Sequence, residues 1–203
     1  MSIIHLLGNG DHATRFKPSR RTPGDKLLIC NMPPFAVDNV YATVMVDFKM
    51  MRAINEGSVN LDFYDWVLGT RPQKWMEMQP QFYLKHAQRI KEFYTVVPDY
   101  AENATSFNCG HVAAHYACNK LKATELHMYG FDSLFDFNMR SITDLYLKSD
   151  RGTTNNNRLI DLWRPIWNGL FDEFPDVKFV LYHKHNNAKV QFPKNVQVNT
   201  QAD

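Results

Sequence analysis

The residues best suited to chemistry stand directly after the short apolar runs of the chain. Gly8-Asn9-Gly10, Asn31, Asp47, Gly69-Thr70, Gly130-Phe131-Asp132 and His183 each follow such a run. An Asn between two glycines can offer its amide to a phosphate or a sugar, because glycine permits close approach and left-handed φ values. Gly8-Asn9-Gly10 is not the dinucleotide fingerprint, since position 13 is Ala and no clear helix with a matching acidic partner follows. It is not a P-loop either, because the Gly-Lys-Ser/Thr ending is absent. Asp47 and Asp132 are the strand-end carboxylates that a Mg²⁺ would need. Ser106-Phe107-Asn108-Cys109-Gly110 precedes a run of small residues. If that run is a helix, its first turn offers an anion site, or Ser106 or Asn108 caps it. Arg15, Lys17, Arg20 and Arg21 could lean over a phosphate or form a solvated loop face.

Cys109, His111, His115 and Cys118 raise the question of a metal. His111, His115 and Cys118 share one helical face at i, i+4 and i+7. Three ligands on one straight helix rarely close a tetrahedron, and the sequence has no second Cys pair and no H-E-x-x-H. No metal is expected there.

The elements that position these residues follow from periodicity. Ile3 to Leu7, Lys26 to Cys30, Tyr41 to Asp47, Phe63 to Leu68, Glu125 to Tyr129 and Lys178 to Tyr182 read as strands, most of them apolar enough to be buried on both faces. Helices are expected over Phe48 to Asn55, Gln81 to Phe93, Cys109 to Leu121 and Asn157 to Glu173, the last with Pro165 forcing a kink or a later start. After Asn186 a polar tail or an edge strand is expected. Alternation of strands and helices predicts a three-layer, Rossmann-like α/β fold, a mostly parallel sheet with helices on both faces. In such a sheet ligands lie outside the carboxyl ends of the strands, where the residues above stand. Gly, Asn and Asp also end strands in proteins that bind nothing there.

A chain of 203 residues is expected to form one α/β domain over 1–203, with a loop or lid near 131–156. With 23 basic against 21 acidic residues there is no electrostatic footprint for nucleic acid. No apolar run approaches the roughly 18 residues of a membrane span. The chain enters an apolar strand without a basic leader, and its three cysteines are too few for a disulfide framework, so a cytoplasmic location is expected.

Taken in order, Ile3-Ile4-His5-Leu6-Leu7-Gly8-Asn9-Gly10, Leu28-Ile29-Cys30-Asn31, Asn108-Cys109-Gly110, Leu126-His127-Met128-Tyr129-Gly130-Phe131-Asp132 and Val180-Leu181-Tyr182 with Asn186 resemble the bacterial CMP-sialic-acid-dependent sialyltransferases. The resemblance implies a single-domain, Rossmann-like transferase that takes a CMP-sugar without a metal or other cofactor. Its partners would be that nucleotide sugar and a glycan or glycolipid acceptor; self-association is left open. It places Gly8, Asn9, Gly10 and Asn31 on the nucleotide and its phosphate, Asn108 and Cys109 on the donor, and Gly130, Phe131 and Asp132 on ribose and base. Asn108 and Cys109 stand where the family commonly has Thr and Ser, and Asp47 where it often has Asn.

The family carries its general base, a His, in the lid. Between Ser133 and Trp163 this chain has no His; Tyr146, Ser149, Asp150 and Arg151 occupy that stretch. The base is therefore expected from His183 or, as a weaker base, Asp150. Two other readings stay open: a non-catalytic nucleotide-binding relative, and a Mg²⁺-dependent phosphotransferase using Asp47 and Asp132.

Overall fold

The computed structural model describes residues 1–136 and 159–202. Eight strands form one sheet among them: β1 (Ile3–Leu7), β2 (Lys26–Cys30), β3 (Ala42–Met45), β4 (Trp66–Gly69), β5 (Ile90–Tyr94), β6 (Glu125–Tyr129), β7 (Lys178–Tyr182) and β8 (Val196–Asn199). Their order is β5-β4-β3-β2-β1-β6-β7-β8 and every neighbouring pair is parallel. The continuous apolar runs suit this: β1 and β2 are buried at four of five positions and β3 at all four.

Among the described residues five α-helices cover the two faces. They are α1 (Phe48–Asn55), α2 (Pro72–Met78), α3 (Pro80–His86), α4 (Cys109–Asn119) and α5 (Arg164–Glu173). One face takes α4 and α5. The small residues Ala113, Ala114 and Ala117 let α4 lie close against Ile4, Leu6, Leu28 and Val44, while Ile166, Leu170 and Phe171 of α5 join the same core. The other face is shared. Over β3 and β4, Met50, Met51, Ile54, Trp75 and Phe82 of α1 to α3 bury Met45, Trp66 and Leu68. Over the centre of the sheet, loop residues Ala13, Phe16, Phe35 and Val37 bury Leu7, Leu27, Ile29 and Tyr129 in place of a helix.

One element departs from the sequence expectation and a second settles an alternative. The helix expected over Gln81 to Phe93 stops at His86, and Ile90–Tyr94 is the edge strand β5. The apolar positions Ile90 and Phe93 serve the sheet there, with Tyr94 buried. At Pro165 the later start is found: the α-helix α5 begins at Arg164, and a wider π-helical segment over Leu159–Trp163 leads directly into it.

The chain runs from β1 outward to β5, then returns to the other side of β1 as β6. The strand order reverses between β1 and β6, so the loops leaving these two strands flank the crevice where an open parallel sheet takes ligands. Among the described residues no helix is long and apolar enough to cross a membrane.

Candidate functional site at the carboxyl edge of the sheet

Gly8-Asn9-Gly10 leaves β1 and lies against Gly130-Phe131-Asp132 leaving β6. The Gly8 N–H donates to the Tyr129 carbonyl at 2.7 Å and the Gly10 N–H to the Gly130 carbonyl at 3.0 Å. A Cβ on Gly8 or on Gly10 would stand 2.7 Å from that Gly130 oxygen. Gly130 has φ +80°, and a Cβ there would meet the Ala13 Cβ at 2.9 Å. These three glycines therefore let the two loops close on each other. Phe131 is buried edge-on to Trp167 and against Gly110, so its ring wedges the crevice floor to α4.

Asn9, Asn31 and Cys109 meet beside that contact. The Asn9 amide donates to the Met32 carbonyl at 3.0 Å, tying the β1 loop to the β2 loop. Asn31 has φ +60°, a conformation Asn tolerates better than most residues. Its N–H donates to the Val44 carbonyl at 2.9 Å, its own carbonyl accepts from the Thr43 hydroxyl, and its side-chain Oδ1 is enclosed without a partner. The Cys109 thiol donates to the same Val44 carbonyl at 3.0 Å. Cys30 is buried beside it, and the Cys109 side chain, with burial, pushes the Cys30 thiol well up. Asn108 caps α4: its Oδ1 accepts from the His111 N–H at 3.1 Å while its own N–H donates to His111 Nδ1 at 3.2 Å.

A cluster of imidazoles and carboxylates closes the crevice at the ends of β1, β6 and β7. His12 Nδ1 lies 3.0 Å from Asp132 Oδ1, and the His12 N–H donates to Asp132 Oδ2 at 3.4 Å. The His12 ring stacks on His183 at 3.8 Å, and Phe135 stacks on His183 at 4.0 Å from a ring plane 12° away. His183 is fully buried. Its Nδ1 accepts from the His185 N–H at 3.3 Å, and its Nε2 faces Asp136 Oδ2 at 3.1 Å. Burial, with His12 next in weight, holds its pKa below the usual imidazole value. His183 thus stands at the ligand edge as the sequence suggests, but both of its nitrogens are engaged. Asp150 lies outside the described residues.

His12, Asp132, Asp136, His183 and His185 carry the atoms that a divalent metal would use. The hydrogen bonds define the tautomers. His183 and His185 each accept a backbone N–H at Nδ1, from His185 and from Asn187, so Nε2 of each bears the proton and donates to Asp136. A metal on those nitrogens would have to displace both protons and both backbone bonds.

Other candidates have local partners. Asp47 caps α1, its Oδ1 accepting the Lys49 N–H at 2.9 Å. Arg15 and Arg20 bind the Thr200 and Gln201 carbonyls, and Arg21 binds those of Asp38 and Asn39. On α4, His111 Nε2 donates to the Trp163 carbonyl at 3.1 Å, and His115 is held between the Tyr94 hydroxyl and Glu173. His12 and Asp136 were not singled out by the sequence, because neither directly ends a strand.

No protein-family model matches the sequence, and a search of curated proteins finds no match. Among solved structures the chain is similar to the sialyltransferase CstII from Campylobacter jejuni, described in complex with the substrate analogue CMP-3FNeuAc. The two share 12% identity at a TM-score of 0.45, over 89% of this chain and 81% of that one.

Proposed function

We propose that the protein is a glycosyltransferase that takes its sugar from a CMP-activated donor, with the donor in the crevice between the β1 and β6 loops and a glycan or glycolipid hydroxyl as acceptor. The observation that carries the reading is Asn31. Its side-chain oxygen is enclosed and unpartnered in a left-handed turn, one residue from the carbonyl that Asn9 binds. An enclosed acceptor without a donor costs about 1–3 kcal/mol, and a ribose hydroxyl or the amine of a cytosine restores the missing bond. Asn9 stands beside it, and the first turn of α4 adds backbone N–H groups of the kind that stabilise a leaving phosphate. Gly8, Gly10, Gly130 and Phe131 shape this site by closing the loops on one another. Asn108 orients the start of α4, and Cys109 fixes that start to β3.

The Mg²⁺-dependent phosphotransferase is disfavoured by the two carboxylates it needs. Both oxygens of Asp132 face His12, and Asp47 is spent on capping α1. Calorimetric titration with CMP, with and without Mg²⁺, tests the reading, together with turnover of CMP-sialic acid. CMP binds without Mg²⁺, and Asn31→Ala weakens it by about 1–3 kcal/mol. Unchanged affinity in Asn31→Ala, or binding of triphosphates that requires Mg²⁺, refutes it. CMP binding with no turnover of the donor selects the non-catalytic relative.

A further inference from the structure

We propose that His12, oriented by Asp132, is the general base that takes the proton from the acceptor hydroxyl. The assignment rests on the glycosyltransferase reading. The geometry supplies what a base needs. His12 Nδ1 meets Asp132 Oδ1 at 3.0 Å, so the proton sits on Nδ1 and the lone pair of Nε2 is left for a substrate. The second contact, from the His12 N–H to Asp132 Oδ2, clamps the same carboxylate to the backbone of the residue it orients. Both side chains are largely enclosed, His12 at 13% exposure and Asp132 at 9%, which leaves the ring the more accessible of the two. His183, stacked at 3.8 Å and backed by Phe135, holds the plane of the ring.

No other imidazole of the cluster is placed to do this. In His183 both nitrogens are engaged, and His185 spends Nδ1 on Asn187 and Nε2 on Asp136. His12 also lies three residues beyond Asn9 on the loop that leaves β1, so both residues stand on the carboxyl edge of the sheet.

The step balances without a further reagent. The acceptor oxygen forms a bond to the anomeric carbon while its proton passes to His12 Nε2. The bond from that carbon to the phosphate oxygen breaks, and its electron pair leaves with CMP. His12 then returns the proton to solvent. Asp132 is a positioning residue that keeps the Nδ1 proton in place. Groups facing the His12 ring are Asp132 from the β6 loop and His183 from the end of β7, with Asp136 and His185 beyond His183.

Two variants of the full chain, His12→Gln and Asp132→Asn, are compared with wild type for CMP affinity and for kcat and KM of CMP-sialic acid turnover. In His12→Gln, kcat falls roughly 10²–10⁴-fold while KM and CMP affinity are kept. In Asp132→Asn, which takes the carboxylate from the Nδ1 proton, kcat falls at unchanged KM and CMP affinity, and Asp132→Glu restores part of the rate. A purely structural role for Asp132 would lower CMP affinity together with kcat. If His12→Gln turns over the donor as wild type does, the base assignment falls and the transferase reading stands. If wild type binds no CMP and consumes no CMP-sugar, both fall. Should His12→Gln lose CMP affinity through misfolding, Asp132→Asn decides: a fall in kcat at unchanged KM supports the dyad, and an unchanged kcat overturns it.

Discussion

His111 gives the fold a measurable sensitivity to acid. It is wholly enclosed at the start of α4, with Nδ1 accepting from the Asn108 N–H and Nε2 donating to the Trp163 carbonyl, a pair of bonds that only the neutral ring can make. Burial lowers its pKa from 6.5 to about 3, and the bond to Trp163 recovers only part of the shift. Between those values the unfolded chain takes up a proton that the folded chain refuses. The unfolded state then binds more protons, so stability rises with pH and is lost as pH falls. The contribution is complete above the unfolded value and declines across the window beneath it. From pH 7 to pH 5 the loss from this single residue comes to about 2 kcal/mol. His5, His86, His115, His127 and His183 are also held below the ordinary value, mainly by burial, and add to the wild-type slope. Comparison with His111→Gln isolates the one residue. Urea unfolding followed by circular dichroism at pH 7, 6 and 5 supplies the two curves. The variant is less stable at pH 7, where the cap is weakened, and its dependence on pH is shallower by the amount above. Parallel curves would show that His111 is protonated in the folded state and that this account of its burial is wrong.

Gly130→Ala forces a left-handed residue against Ala13 and costs about 1–2 kcal/mol for the backbone alone; an unchanged melting temperature refutes the loop contact. Asp47→Ala removes the cap of α1, costs about 0.5–2 kcal/mol, and leaves CMP affinity as it was. Loss of CMP binding instead would return Asp47 to the ligand site. Excess Zn²⁺ leaves the melting temperature unchanged, because His183 and His185 present protonated Nε2 atoms to Asp136; a rise would show that the tautomers exchange and the cluster loads.

The central strands were legible because they are buried on both faces. A run such as Ile3 to Leu7 has no solvent side to interrupt it, and Glu125 to Tyr129 and Lys178 to Tyr182 are set off by the same contrast with their flanks. The outer part of the sheet was harder. In β5 only Tyr94 is buried, so Ile90 and Phe93 stand among charged residues and fit a helical stripe as well as an alternating strand. The register of that strand against β4 decides the matter, and it is a long-range contact that no local window contains. The loops over the centre of the sheet escaped notice for a related reason. Phe16, Phe35 and Val37 take the place of a helix without any period of their own.

The site divides along the same line. Positions that directly end a strand are fixed by the strand itself, so Asn9, Asn31 and Asp132 could be picked out before any distance was known. His12 could not, because its place depends on how the loop folds after leaving β1. Gly10 and Gly130 close the two loops, and the tight turn at Asp11–Arg15 then swings the His12 ring back over Asp132 and His183. That path needs a left-handed backbone at Gly130 and a methyl group no larger than that of Ala13 beneath it. A bulkier side chain at position 13 would push the turn away from Gly130 and separate His12 from its carboxylate. The small Ala13, packed against Gly130, is thus the residue that lets His12 reach Asp132.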